Sequence, residues 1–168
     1  YFGHMWELYT FWAFVPVIIL TYLDGYNVSL WSFGVIGIGT LSCIAGGYLS
    51  QQFGAKKIAF IALTTSAICS LLSGWILGNN SDLLILIFLF VWGISVIMDS
   101  PLFSTLVAQN APSENKGTAL TIVNSIGFLI TIFSIQLMNS LILISDSPAI
   151  YMLLAIGPIL GLIALKRQ

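Results

Sequence analysis

The sequence predicts an all-α, polytopic membrane protein with six transmembrane helices, and three observations carry that prediction. The 168 residues are 58% hydrophobic and 7% charged, with a mean hydropathy of +1.03. No soluble domain of this length hides so much apolar surface, so the bilayer is the solvent for most of the chain. Six apolar stretches follow one another, each near the roughly 20 helical residues needed to cross about 30 Å of hydrocarbon. The five basic residues fall only in alternate gaps: Lys56 and Lys57 after the second stretch, Lys116 after the fourth, Lys166 and Arg167 after the sixth. The other three gaps hold Asp24, Asp82 and Asp146. Short cytoplasmic loops retain positive charge, so both ends of the chain are expected in the cytoplasm of a multi-pass cell-membrane protein.

The spans read as about 3–23, 32–50, 57–78, 83–108, 117–144 and 148–165. The first carries His4 and Glu7 with an aromatic set, Trp6, Tyr9 and Trp12. The second holds Gly34, Gly37, Gly39, Gly46 and Gly47, which permit tight packing or bending. The third has only hydroxyls for polar groups (Thr64, Thr65, Ser66, Ser70), able to bond back to their own backbone. The fourth contains Asp99 and Pro101. The fifth bears Asn124 and Gln136. The sixth has no charged or amide side chain, and its Gly157-x-x-x-Gly161 spacing permits close helix contact. Turn chemistry fills the gaps, as in Asp24-Gly25-Tyr26-Asn27 and Gly78-Asn79-Asn80-Ser81-Asp82. Ser147-Pro148 reads as a cap followed by Pro in the first turn, and Ser81 or Asp82 as a cap for the fourth helix.

Composition also excludes. Five basic residues and a net charge of −1 argue against nucleic-acid binding. Cys43 and Cys69 lie within apolar stretches and read as buried thiols. No Ser/His/acid set, metal cluster or phosphate loop is present, so neither an enzyme nor a cofactor is expected. The chain starts at Tyr1 without a basic n-region and cleavage site, so the first stretch is not a signal peptide. Either the start has been trimmed or the chain is a piece of a longer protein.

Several strings resemble the major facilitator superfamily. Gly47-Tyr-Leu-Ser-Gln51-Gln52-Phe-Gly54-Ala-Lys56-Lys57 is similar to that family's cytoplasmic loop signature, with Gln51 where an acid usually stands. This weakened form resembles the family's second half, between helices eight and nine. Tyr1-Phe-Gly-His4-Met-Trp6-Glu7-Leu-Tyr9 is similar to the start of helix seven in a bacterial subgroup. Met98-Asp99-Ser100-Pro101-Leu-Phe-Ser104 and Pro112-Ser-Glu114-Asn-Lys116-Gly117-Thr-Ala119 resemble helix ten and the loop into helix eleven. The resemblance implies the C-terminal six-helix half of a twelve-helix carrier of the bacterial inner membrane, built as two inverted three-helix repeats. It further implies alternating access, a small-molecule substrate carried by symport or antiport, and an N-terminal half as partner. It places helices seven, eight, ten and eleven around the cavity, a division that the polar residues suggest independently.

An ionisable group inside a membrane costs at least ~2.5 kcal/mol near the centre and usually faces a cavity or a partner. Glu7 is therefore the sharpest candidate, with His4 one turn earlier on the same face. The two together form a proton-coupling candidate; the alternative is a hydrated pair stabilising a helix N-terminus. Asp99 lies about 15 Å into its helix. It reads either as a substrate or proton site or as a structural partner of Lys56 or Lys57. Asn124 and Thr131 share a stripe with Gly127 and Phe128, and could bond substrate or simply join helices. Gly47, Gln51, Gly54, Lys56 and Lys57 mark the topology loop, with a gating role implied by the resemblance and weakened by Gln51. Apart from Lys57 at the very start of the third, no Arg or Lys lies inside a span, so an anionic substrate would need its cation from the other half or from His4. The rival reading is a stand-alone six-helix protein, such as a small channel or assembly factor, although no loop is long enough for an obvious filter.

Overall fold

The computed structural model describes residues 1–167, and every regular element among them is helical. Helices α1 (Phe2–Tyr22), α2 (Val28–Phe53) and α3 (Ala55–Ile76) are followed by α4 (Asp82–Met98) and α5 (Ser100–Asn110). A short 3-10 turn, Ser113–Asn115, leads into α6 (Lys116–Ile142). A second 3-10 segment, Pro148–Ala155, leads into α7 (Ile156–Arg167). Taking α4 with α5, and each 3-10 segment with the helix it precedes, gives six helices long and apolar enough to cross a membrane. At 1.5 Å per residue the 21 residues of α1 reach about 30 Å.

Local chemistry sets the breaks. Gly54, at φ +88°, ends α2 and starts α3 with no intervening loop, a left-handed conformation that suits glycine. This sharp turn leaves Lys56 and Lys57 in the first turn of α3. Asn27 caps α2, accepting from the Leu30 amide at 2.9 Å. Ser147 caps the 3-10 segment as its sequence suggests, accepting from the Ala149 amide at 3.3 Å. Ser81 occupies the N-cap position of α4, but its side chain makes no capping bond.

The fourth crossing is interrupted at Asp99. Pro101 has no N–H and cannot bond the Ile97 carbonyl four residues back. That freed carbonyl accepts instead from the Cys43 thiol of α2, at 3.5 Å. Close packing then fixes α2 on α4. Any side chain at Gly39 would run into Ile97, at Gly46 into Met98, and at Gly93 into the Val35 carbonyl. Of the five glycines in the second span, Gly39 and Gly46 carry this packing, while a Cβ at Gly37 or Gly47 would meet nothing.

Helix α1 is the hub. His4, Glu7, Leu8, Phe11, Phe14, Val15 and Ile18 are all buried, one stripe at helical spacing. Phe11 and Phe88 pack on the buried Trp92 ring, and Leu89, Val96 and Ile85 complete the core. A second, smaller core of Ile58, Ala59, Leu63, Leu102, Phe103 and Leu165 joins α3, α5 and α7 at the Lys56 end. Helix α7 meets α1 at glycines: Gly157 abuts Gly3 and Trp6, and Gly161 lies beside Gly3. Helices α2 and α6 are the least covered, with large apolar side chains such as Phe33, Leu41, Leu129 and Phe133 exposed.

Candidate functional site

Two polar clusters sit on the buried face of α1, one turn apart. In the first, the Glu7 carboxylate, 1% exposed, is held by three neutral donors. Ser66 donates to its Oε2. Ser70 Oγ donates to Oε1 at 2.6 Å, and the indole Nε1 of Trp92 donates to the same oxygen at 2.8 Å. No cation is within ion-pair reach among the described residues. The site thus joins α1, α3 and α4 through one carboxyl group.

The second cluster pairs His4 with Asp99. The His4 Nδ1 lies 2.8 Å from Asp99 Oδ1, and each side chain is 1% exposed. The contact has ion-pair distance without hydrogen-bond alignment, and His4 Nε2 and Asp99 Oδ2 have no hydrogen-bond partner among the described residues. The Tyr1 and Phe103 rings flank the imidazole, with centroids 6.2 and 5.7 Å away. Asp99 stands at the junction of α4 and α5, so this pair ties α1 to the interruption in the fourth crossing.

These placements alter several sequence expectations. His4 and Glu7 share a face of α1, but each has its own partner and neither bonds the other. Both are buried, so the reading of a hydrated pair stabilising a helix N-terminus is corrected: the hydrophobic stripe of α1 carries both inside. Asp99 makes no ion pair with Lys56 or Lys57, because the turn at Gly54 points those lysines outward and the Asp99 carboxylate turns to His4. Thr64 and Thr65 do bond back to the Phe60 and Ile61 carbonyls. Ser66 and Ser70, expected to do the same, donate to Glu7 instead.

Asn124 and Thr131 both lie against α1. Tyr1 donates its hydroxyl hydrogen bond to Asn124 Oδ1. The Thr131 hydroxyl lies 3.0 Å from the Met5 carbonyl and 3.1 Å from that of Gly127. Three residues on, Ser134 shares a hydrogen bond with Thr10. In this chain these groups join helices. Around the loop, Gln51, Lys56 and Lys57 are exposed, and the Lys57 ammonium stands 5.6 Å over the Phe53 ring. Gly47 accepts the Ser50 hydroxyl on its carbonyl at 2.7 Å.

Sequence reasoning missed the donors of Glu7 and the partnership of His4 with Asp99. Spacing held a signal for the serines: Ser66 and Ser70, four apart, share a face of α3. For the pair the signal was chemical, since two ionisable groups buried in membrane helices have few partners except each other. Trp92 carried no signal beyond its indole N–H, which needs an acceptor when buried.

Comparison with known proteins agrees with this architecture. A solved structure of the xylose transporter XylE from E. coli, in a partially occluded inward-open conformation, superposes with a TM-score of 0.75 at 17% identity. The match covers 99% of this chain and 47% of XylE, a likeness of fold. The probable galactarate/D-glucarate transporter GudP of Escherichia coli K12 is 26% identical over 118 residues, 68% of this chain and 25% of that protein. Its Pseudomonas putida counterpart of the same name is 32% identical over 94 residues, 54% of this chain and 21% of that protein. The chain thus spans about a quarter of the length of these curated relatives or less. All of them are named as transporters, in keeping with the reading against an enzyme. The family model described as Major Facilitator Superfamily matches residues 1–135, most of this multi-pass membrane chain, and the chain belongs to that superfamily.

Proposed function

We propose that the chain is the C-terminal six-helix half of a secondary active carrier, moving a small polar solute across the bacterial inner membrane by alternating access. The observation that carries this reading is the near-complete match of this six-helix body to 47% of a larger carrier, which also weighs against a stand-alone channel or assembly factor. The exposed apolar faces of α2 and α6 are where the N-terminal half would pack and where the substrate path would run. Basic residues at the starts of α3 and α6 and at the end of α7 support an orientation with both ends cytoplasmic.

Proton coupling is the finer part of the proposal. Asn124 and Tyr1 lie half-buried at the edge of the bundle, and past them stand His4 and Asp99. This line of polar groups supplies a route for a proton into the interior. Asp99 and His4 hold it there, and Glu7 is the neighbouring second acid. The names of the matched relatives put galactarate and D-glucarate first among substrates to try. Such dianions need a cation, and with His4 already paired to Asp99 that cation must come from the other half.

The test is transport by the intact protein in proteoliposomes, across a panel of small solutes led by these two sugar acids, with an imposed pH gradient. Gradient-driven uptake should fail in Asp99→Asn while solute exchange without a gradient survives. Gradient-driven uptake that is unchanged in Asp99→Asn and in Glu7→Gln removes the coupling role. If no gradient or counter-solute moves any member of the panel, the carrier reading itself is wrong.

A further inference from the structure

At the Lys56 end of the bundle, a groove of about 620 Å³ opens between the α2–α3 turn and the last turn of α7. That volume is in the range of small-molecule sites. Its floor is apolar, made by Phe53, Ile61 and Leu165, and its rim carries Lys56, Lys57 and Lys166. The turn at Gly54 brings this about. Because α3 begins directly after α2, both lysines stand at the level where α7 ends with Lys166.

Three ammonium groups round one groove repel one another unless something negative lies between them. None has an ion-pair partner among the described residues, for the sole such contact there is His4 with Asp99. The first turn of α3 contains no acid, and that end of a helix disfavours cations and favours anions. Phe53 and Ile61 remain 53% and 51% exposed, so the floor also lacks a cover. A soluble anion would answer the charge and leave the floor bare. A zwitterionic lipid would bring its own ammonium among the lysines.

We infer that this groove binds one anionic phospholipid from the leaflet at the Lys56 end, phosphate among Lys56, Lys57 and Lys166, acyl chain along Phe53, Ile61 and Leu165. Basic pockets between membrane helices suit acidic headgroups in this way. The site lies outside the polar clusters of α1 and does not depend on what the carrier moves.

The experiment is native mass spectrometry of the intact protein in detergent, with equimolar dioleoyl phosphatidylglycerol and dioleoyl phosphatidylcholine. The native protein should retain phosphatidylglycerol over phosphatidylcholine by roughly tenfold or more. The triple change Lys56→Gln, Lys57→Gln, Lys166→Gln should erase that preference, and the corresponding triple change to Arg should keep it. Ile61→Trp fills the floor without touching charge, and should also release the lipid. Retention of phosphatidylglycerol by the Gln variant at the native level overturns the site. So does a Gln variant that loses the preference while Ile61→Trp keeps it, because the lysines would then attract lipid without seating it.

Discussion

Replacing Glu7 separates its architectural role from any role in carrying protons. Leu has nearly the volume of Glu but accepts nothing, so Glu7→Leu strands the donors that converge on the carboxylate. Ser66 and Ser70 can rotate onto the carbonyls four residues back in α3, as Thr64 and Thr65 already do. The Trp92 indole has no such recourse: it is rigid, fully buried and a donor only. An unpaired buried donor costs about 1–3 kcal/mol, whereas interhelical bonds in membranes average ~0.6 kcal/mol. Three bonds at the membrane value and one stranded indole at the higher value both lead to about 2 kcal/mol. Glu7→Gln behaves differently. Its amide oxygen accepts from Trp92 and Ser70, and its NH2 donates to Ser66, whose hydroxyl turns round. The amide change should therefore cost less than about 1 kcal/mol. Reversible unfolding of the intact protein by SDS in mixed micelles, followed by tryptophan fluorescence, measures both. Trp92→Phe should cost less in the Glu7→Leu background than alone, a coupling of about 0.5 kcal/mol or more. If Glu7→Gln proves as costly as Glu7→Leu, or Glu7→Leu falls within about 0.5 kcal/mol of native, the three-donor account is wrong.

Two further outcomes follow from the packing. Either His4→Phe or Asp99→Leu leaves its partner buried and alone, at a cost of about 3–5 kcal/mol, and the double change should cost well below the sum; strict additivity in the same unfolding assay would show that the pair does not interact. Gly157→Val drives a side chain into the Gly3 carbonyl and the Trp6 ring and should lower stability by about 1–3 kcal/mol or more. Gly47→Ala, where a Cβ meets nothing within 4 Å, should be neutral, and equal stability of the two variants would contradict the α1–α7 contact.

The membrane class, the count of crossings and the family were legible because each rests on signals that survive in one dimension. Apolar run length, the alternation of Lys with Asp between runs, and the Gly47 to Lys57 string need no tertiary knowledge. The polar contacts were not legible, and particular residues show why. His4 and Glu7 sit three apart, so helical periodicity put them on one face, but it cannot say that α3 lies opposite one and the α4–α5 junction opposite the other. Ser66 could bond its own helix or a neighbour, and sequence offers no means to choose; a carboxylate within reach decides it. The interruption at Asp99 was half legible. Pro101 predicts a freed carbonyl, and only the packing of α2 on Gly93 reveals that Cys43 takes it.

The polar bonds of α1 bear on how a carrier of this kind would move. From Tyr1 to Thr10 the helix is tied to α3 by Ser66 and Ser70, to α4 by Trp92, and to α6 by Asn124, Thr131 and Ser134. The Trp6 indole adds a bond to the Leu153 carbonyl of the 3-10 segment, at 3.4 Å. Displacing α1 alone would break these bonds together. The hydroxyls could turn to their own helices, but the Trp92 indole and the Glu7 carboxylate would be left buried and unpaired, at about 1–3 kcal/mol or more for each. Rocking the six helices as one body breaks none of them. The interruption of the fourth crossing at Asp99 could have been a hinge, but His4 holds it to α1 as well. A body whose hub is fastened to its neighbours by buried polar groups resists internal bending and transmits a rotation whole. That is the mechanical property the alternating-access proposal requires of each half.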